Sequence, residues 1–399
     1  MLDLAFVRGQ FPAFSEPSLD GWAFFENAGG SYACQPVIDR LTRFYHQRKM
    51  QPYAPNPASE AGGAEMDEAR TRLAGLLNIA PDELSFGPST TQNTYVLAQA
   101  FRQFLSPGEA IIVTNQDHEA NSGPWRRLAD EGIEVREWSI DPQTGHLDPD
   151  ALVALLDERV RLVCFPHCSN VVGEINPVAE ITAMAHAAGA FTCVDGVSYA
   201  PHGFPDVGAL GCDIYLFSAY KTFGPHQGIM AIRRELAEVL PNQAHFFNGD
   251  VLYKKFTPAG PDHAQVAASA GMVDYIEALA AHHGVAPSEA AGLMHGHEVA
   301  LMRPLLSFLS QRNSVRLLGP AEAEQRAPTV AVATRGPAED VARALADHKV
   351  MAGGSHFYAV RALRAMGVDP DRGVLRLSFT HYTSEAEVTQ LIEALDRVL

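Results

Sequence analysis

Five short apolar runs constrain this chain more than any other feature. They are Ala110-Ile111-Ile112-Val113, Arg161-Leu162-Val163-Cys164-Phe165, Phe191-Thr192-Cys193-Val194, Ile214-Tyr215-Leu216-Phe217 and Gly228-Ile229-Met230-Ala231-Ile232. Each is too short for a core helix and shows no in–out alternation, so each reads as a strand buried on both faces. Helical stretches separate them. One begins near Pro177, places Ile181, Met184 and Ala188 at helical spacing and stops at Gly189; another starts at Asp148 and runs through Leu152, Leu155 and Leu156. Strands alternating with helices predict an α/β fold with a mostly parallel sheet, of the seven-stranded type, covered by helices.

A long Ala-rich helix is expected over residues 265–283, followed by Gly284 and Pro287, and the domain boundary is placed there. The chain then divides into an N-terminal segment (1–20) packing with the smaller unit, a large domain (21–284) and a small C-terminal α+β domain (285–399). Residues 328–333 and 374–379 are that domain's strands, and a final helix covers about 384–399. At 399 residues the chain has ample length for two cores.

In an open parallel sheet, ligands bind beyond the carboxyl ends of the strands. The residues following the first four runs include His118, Asn170, Asp195 and Lys221, so four strands deliver chemically competent side chains to one rim. Upstream, Ser89-Thr90-Thr91 opens a helical stretch, where free N–H groups and hydroxyls suit a phosphate. A phosphate cradle, an acid, an imidazole, an amide and an amine together fit pyridoxal 5′-phosphate (PLP), which needs a Lys for its aldehyde and a carboxylate for its ring nitrogen.

Other chemistries lack support. The formal net charge of −17 disfavours nucleic acid and anionic membrane as partners. No apolar run spans a bilayer, the N-terminus has no secretory pattern, and the five cysteines are odd in number and partly embedded in apolar runs. A cytoplasmic, reducing location is expected. Cys164, His167 and Cys168 make no zinc site, because Cys164 points into the sheet, and the two His of His295-Gly296-His297-Glu298 diverge on a helix; no metal is expected. Neither a dinucleotide fingerprint nor a P-loop occurs.

With these residues assembled, the chain resembles fold-type I PLP enzymes of the class V aminotransferase family, in its cysteine desulfurase-like branch. The motifs that carry the likeness span nearly the whole chain: Glu26-Asn27-Ala28-Gly29-Gly30, Ser89-Thr90-Thr91, Asp117-His118-Glu119-Ala120-Asn121, Ser169-Asn170-Val171-Val172-Gly173, Val194-Asp195-Gly196, Ser218-Ala219-Tyr220-Lys221 and Leu375-Arg376-Leu377-Ser378. The resemblance implies that Lys221 holds PLP as a Schiff base and shuttles protons. Asp195 would pair with the ring nitrogen, His118 would stack on the ring as acid or base, and Asn170 would bond its phenolic oxygen. Ser89, Thr90, Thr91 and Ser218 would hold the phosphate. Arg376 would grip a substrate carboxylate, with Asn27, Ala28 and Gly29 lining the pocket. A homodimer, with Gly260 reaching the neighbouring subunit's phosphate, is also implied.

Four positions depart from the desulfurase pattern. Tyr358, in Gly354-Ser355-His356-Phe357-Tyr358-Ala359, stands where the persulfide-carrying Cys is expected, and no Cys follows Cys212. Tyr220 replaces a His, Ser198 a Gln, and Gly260 a Thr. His356 and Tyr358 then become candidate walls of the substrate pocket, and Ser198, Tyr220 and Gly260 candidate cofactor contacts. The expected activity is aminotransfer or β-elimination, including C–S cleavage, on a small α-amino acid or amine. A divergent cysteine desulfurase or selenocysteine lyase is the alternative, and a non-catalytic PLP-binding protein is the alternative from another class.

Overall fold

A computed structural model describes residues 1–399. Its centre is a seven-stranded sheet built from β2 (Leu84–Gly87), β3 (Ala110–Thr114), β4 (Glu134–Trp138), β5 (Val160–Pro166), β6 (Phe191–Asp195), β7 (Ile214–Ser218) and β8 (Gly228–Ile232). A short strand, β1 (Ala23–Phe24), precedes them. The spatial order is β2-β8-β7-β6-β5-β3-β4, with β8 antiparallel to both its neighbours and the remaining pairs parallel. Every residue of β3, β7 and β8 is buried, as continuous apolar runs require when helices cover both faces. One core lies on each face of this sheet. The larger includes Val163, Phe165, Tyr215 and Phe217; the other holds Leu162, Cys164, Cys193 and Leu216.

A four-stranded antiparallel sheet forms the C-terminal unit, in the order β12-β13-β10-β9: β9 (Val315–Leu318), β10 (Thr329–Thr334), β12 (Gly353–Ser355) and β13 (Val374–Ser378). Its own core gathers Val330, Val332, Leu375 and Leu377 with Leu305 and Leu391 from helices Ala290–Ser310 and Glu385–Val398. The remaining strand, β11 (Val350–Met351), runs parallel to β1, so the segment leading into Glu26 is clamped to this unit. Residues 1–20 lie across the junction: Leu2, Val7 and Phe11 enter the large core, while Arg8 pairs with Glu387 of the last helix at 2.7 Å.

Three local expectations need correction. The helix expected over 265–283 is two helices, His263–Ala268 and Ala270–His283. They part at Ser269, whose hydroxyl donates to Gln227 Oε1 at 2.9 Å, and a Cβ on Gly271 would stand 2.5 Å from the Val37 nitrogen. The helix after Asp148 covers only Pro149–Val153, so Leu155 and Leu156 lie beyond it. Strands β2 and β4 were not legible as apolar runs; β4 reads Glu-Val-Arg-Glu-Trp and buries only Trp138. No helix is long and apolar enough to cross a membrane.

Candidate active site

The carboxyl ends of β5, β6 and β7 open into a cavity of about 920 Å³. Register fixes its floor: Asp195 stands beside Pro166 of β5 and Leu216 of β7, and Ser218 opposite Gly228 of β8. Lys221 follows β7 by three residues, in a turn where the Thr222 hydroxyl bonds the Ser218 carbonyl at 3.1 Å. The segment after Glu26 ties this turn down. Ser31 N–H donates to the Tyr220 carbonyl at 3.0 Å, and the Ser31 hydroxyl accepts the Phe223 N–H at 2.7 Å.

Opposite stands the start of helix Thr90–Phe104. Ser89 is its N-cap and accepts the Gln92 N–H at 3.1 Å, while the Thr90 and Ser218 hydroxyls share a hydrogen bond of 2.8 Å. Gly228 lets strand β8 approach this helix start, since a Cβ there would sit 2.5 Å from the Thr90 nitrogen. Ser89, Thr90, Thr91 and Ser218 all line the cavity. Free N–H groups and hydroxyls at the start of a four-turn helix are the donor set an anion takes.

Burial sets the charges. Lys221 is pushed down to about 8, first by burial and then by Arg376, with Asp195 and Glu26 opposing. Asp195 is raised to about 6 by burial, against the Val197 N–H, which it accepts at 2.8 Å, and Lys221. Asp117, equally buried, is driven well above the carboxylate range by burial and by the proximity of Asp195, despite bonds from Asn121 and the His118 N–H. His118 falls to about 3 because it is buried near Lys221 and Arg376. Its Nδ1 accepts the Ala120 N–H at 3.0 Å, so the neutral ring carries its proton on Nε2. A buried amine that sheds its proton easily, a buried acid and a neutral imidazole thus share one hollow.

Asn170 anchors the segment 354–359. Its Nδ2 donates to the Phe357 carbonyl at 2.9 Å, whereas Oδ1 is buried without a partner. Phe357 and Tyr358 both adopt left-handed backbone (φ 48° and 57°), and the Tyr358 carbonyl accepts the Glu119 N–H at 2.9 Å. Two consecutive residues with a Cβ in that region are strained and persist only where neighbours hold them. Tyr220 stacks on His226 with ring centroids 4.6 Å apart.

Arg376 lies in β13 and is buried. Its Nη2 donates to Glu26 Oε1 at 2.7 Å, its Nη1 to the Asn170 carbonyl at 3.4 Å, and its guanidinium lies 3.8 Å over the Phe357 ring. The carboxylate partner of this arginine is therefore a residue of the chain itself, which the sequence reading did not identify.

Most of the expected site residues converge. Ala28, Gly29, Ser89, Thr90, Thr91, His118, Asn170, Asp195, Ser198, Ser218, Tyr220, Lys221, Tyr358 and Arg376 all line the cavity. Three do not. Asn27 is buried behind it, accepting a hydrogen bond from the Tyr382 hydroxyl and bordering a separate small cavity of about 10 Å³ that Lys221 also touches. His356 stays outside the lining, its Nδ1 accepting the Tyr358 N–H at 3.1 Å. Gly260 borders a different cavity, beside Pro258 and Asp262, and within one chain it does not reach the site. Glu26, Phe357, Tyr95, Arg126, Arg127 and Arg361 are lining residues the sequence reading passed over as site members. Only Glu26 left a signal, as an acid at the end of the apolar run Ala23-Phe24-Phe25.

The donor set fits PLP. The hydroxyl-bearing helix start suits a phosphate, Asp195 a protonated ring nitrogen and Lys221 an aldehyde, and Asn170 keeps a second Nδ2 N–H, beyond the one given to Phe357, as a donor for a ring oxygen.

Comparison with known proteins agrees. The class-V aminotransferase family model matches residues 23–391. An aminotransferase-like protein, FGM3, of Gibberella zeae is 34% identical, with 98% of each chain covered. A cysteine desulfurase of Serratia proteamaculans is 31% identical over 98% of this chain and 97% of its own. Among solved structures, the apo cysteine desulfurase of Thermococcus onnurineus superposes with a TM-score of 0.87 at 23% identity, covering 100% of this chain and 99% of its own. The Escherichia coli desulfurase CsdA gives 0.83 at 24%, covering 100% and 98%. The chain thus has the fold of those enzymes, belongs to the class-V aminotransferase family, and is a PLP-dependent enzyme.

Proposed function

We propose that the protein acts on a small α-amino acid or amine by aminotransfer or β-elimination, including C–S cleavage. The observation that carries this reading is the convergence of buried Lys221 and Asp195, from successive strand ends, on one cavity faced by the start of helix Thr90–Phe104. Bound PLP supplies an aldehyde for amine condensation and an electron-withdrawing ring. Lys221, held near neutrality by burial, carries the cofactor and moves protons at the substrate Cα. Asp195 keeps the ring nitrogen protonated. His118 would stack on the ring and act as acid or base, Asn170 would donate to the ring oxygen, and Ser89, Thr90, Thr91 and Ser218 would hold the phosphate. Arg376 is the anchor for a substrate carboxylate, a task its planar fork suits.

The alternative, a divergent cysteine desulfurase or selenocysteine lyase, draws support from the desulfurase relatives and is opposed by Tyr358 at the thiol position. A purely cofactor-binding role is opposed by the retention of Lys221, Asp195, His118 and Arg376 in one hollow. A homodimer accords with Gly260 lining a cavity apart from that of Lys221, since the family resemblance gives this segment a role toward a partner subunit's site. Five buried, unpaired cysteines support a reducing, cytoplasmic location.

The test is a panel of amino acids and amines incubated with the PLP-loaded protein, with 2-oxo acid, sulfide and ammonia measured as products. The expected result is turnover by wild type and a loss of at least about 10³-fold in Lys221→Ala. Equal rates in the two proteins overturn the assignment of Lys221, and no turnover of any amine favours the binding-protein alternative.

A further inference from the structure

Arg376 is already engaged. Its Nη2 is bonded to Glu26 Oε1 at 2.7 Å, its Nη1 faces the Asn170 carbonyl, and its flat face lies on Phe357. Only Nε lacks a partner, and it is buried. Nη2 gives one of its two N–H groups to Glu26, so an α-carboxylate entering this site shares the guanidinium with Glu26 instead of taking it alone.

Glu26 is not a loose surface acid that yields its place freely. Its backbone bridges to Ser378, two residues beyond Arg376 on the same strand, and β1 immediately before it is paired with β11. Its carboxylate fills a niche made by two glycines. A Cβ on Gly29 would stand 2.9 Å from Oε1, and one on Gly353 would fall inside contact distance of Oε2. Gly353 is also the register partner of Arg376 across the β12–β13 ladder. The niche therefore exists where the arginine needs its counter-charge. Oε2 is buried with no partner, and Glu26 lines the same cavity as Lys221 and Arg376.

Charge and hydrogen bonding then discriminate between substrates. A second carboxylate brought to Arg376 meets the Glu26 carboxylate at close range in a poorly solvated site, and must displace or repel it. An amine or amide without that charge meets no such competitor. We propose that Glu26 is a specificity-determining residue, one that competes with an entering α-carboxylate for Arg376 and weakens its binding relative to that of a neutral amide. This deepens the functional reading above and rests on Arg376 being the carboxylate anchor. A merely structural Glu26, compensating a buried cation, makes a different prediction: its loss weakens all ligands alike.

The experiment compares L-alanine with L-alaninamide, which differ at the carboxylate alone. Each is titrated into the PLP-loaded protein and followed by its visible absorbance, in wild type, Glu26→Gln, Glu26→Ala and the double variant Glu26→Gln/Arg376→Leu. Expected are tighter alaninamide than alanine binding in wild type, and a tenfold or greater tightening of alanine in both single variants with no tightening of alaninamide. A cofactor-independent readout is ligand-observed NMR of propionate with the cofactor-free protein, where Glu26→Gln increases binding. The proposal is overturned if alanine fails to tighten in both single variants, or if alanine and alaninamide shift by the same factor. If alanine tightens and the double variant keeps that gain, the anchor is not Arg376. That result overturns the underlying reading and is distinct from a failure at Glu26.

Discussion

Tyr358 meets His118 with ring centroids 5.3 Å apart and an interplanar angle of 43°. The side chain expected at the position of a sulfur-accepting thiol thus sits against the imidazole at the cavity rim, held by the Tyr358 carbonyl bond to Glu119 and the Asn170 bond to Phe357. All five cysteines are buried, and Cys168, which touches the cavity wall, is pushed up to about 12 by burial, so it offers no thiolate at neutral pH. Incubation with cysteine is expected to leave no persulfide on the wild-type protein by intact-mass analysis. Tyr358→Cys is expected to retain sulfur as a persulfide, its thiolate attacking the cysteine sulfur while the C–S electron pair leaves with Cβ, so that alanine is released in equal amount. Persulfide on wild type would restore the desulfurase reading.

Asp195 sets stability against function. Its folded pKa, about 6, lies above the ordinary carboxylate value of 3.8, so the folded chain binds its proton more tightly than the unfolded one. The stability it contributes is present below pH 4 and lost as pH rises through 4 to 6. Above that window the cofactor-free protein carries a penalty of about 3 kcal/mol. Asp195→Asn is therefore expected to raise the urea midpoint of the cofactor-free protein at pH 8 and to have little effect near pH 4. The same substitution is expected to cost the loaded enzyme about 10²-fold or more in kcat, because no acid then faces the ring nitrogen. An unchanged midpoint at pH 8 would show that the carboxylate is adequately solvated.

His381 offers the opposite sign, away from the site. Burial depresses it to about 3, and it pairs with the Tyr275 hydroxyl at 2.5 Å. Its folded pKa lies below the ordinary value of 6.5, so its contribution is present above pH 6.5 and lost as pH falls toward 3. His381→Gln is expected to be less stable than wild type at pH 7.5, and the gap is expected to narrow by about 2 kcal/mol at pH 5. Denaturant unfolding of the two proteins at both pH values checks this; a gap independent of pH would mean that His381 titrates normally.

Arg326 pins the loop after β5 to the C-terminal sheet. Fully buried, it donates to the carbonyls of Pro320 (2.5 Å), Val172 (3.1 Å), Leu318 (3.3 Å) and Thr329 (2.7 Å). Arg326→Met keeps the packing and leaves those acceptors bare, so a loss of about 3 kcal/mol is expected by urea unfolding. Because Val172 lies two residues from Asn170, looser PLP binding is expected alongside. A change within 0.5 kcal/mol would mean that water replaces the guanidinium.

What the sequence made legible follows the range of the forces involved. Strands β3, β5, β6, β7 and β8 were found within a residue at each end, because burial on both faces demands a continuous apolar run. Strand β4 escaped because it is an edge strand; Arg136 there pairs with Glu134 and Asp157 instead of entering a core. The break at Ser269 escaped because it depends on Gln227, far along the chain. The site divides in the same way. His118, Asn170, Asp195 and Lys221 were readable because strand ends are local features and the sheet brings them together. Arg376 was readable as a cation inside an apolar strand, but its partner was not, since 350 residues separate it from Glu26.

That separation also bears on how the protein is made. Asn27 is tied to Ser378 through its backbone and to Tyr382 through its side chain, and Ala28 N–H donates to the Ser378 hydroxyl at 2.9 Å. During synthesis the central sheet can assemble once residue 232 has emerged, but the wall of the pocket built from residues 26–29 has nothing to dock on until the ribosome has released the segment around 376–382. Such distant pairings close late in folding. A nascent chain should therefore remain unable to grip its ligand until almost the last moment of translation.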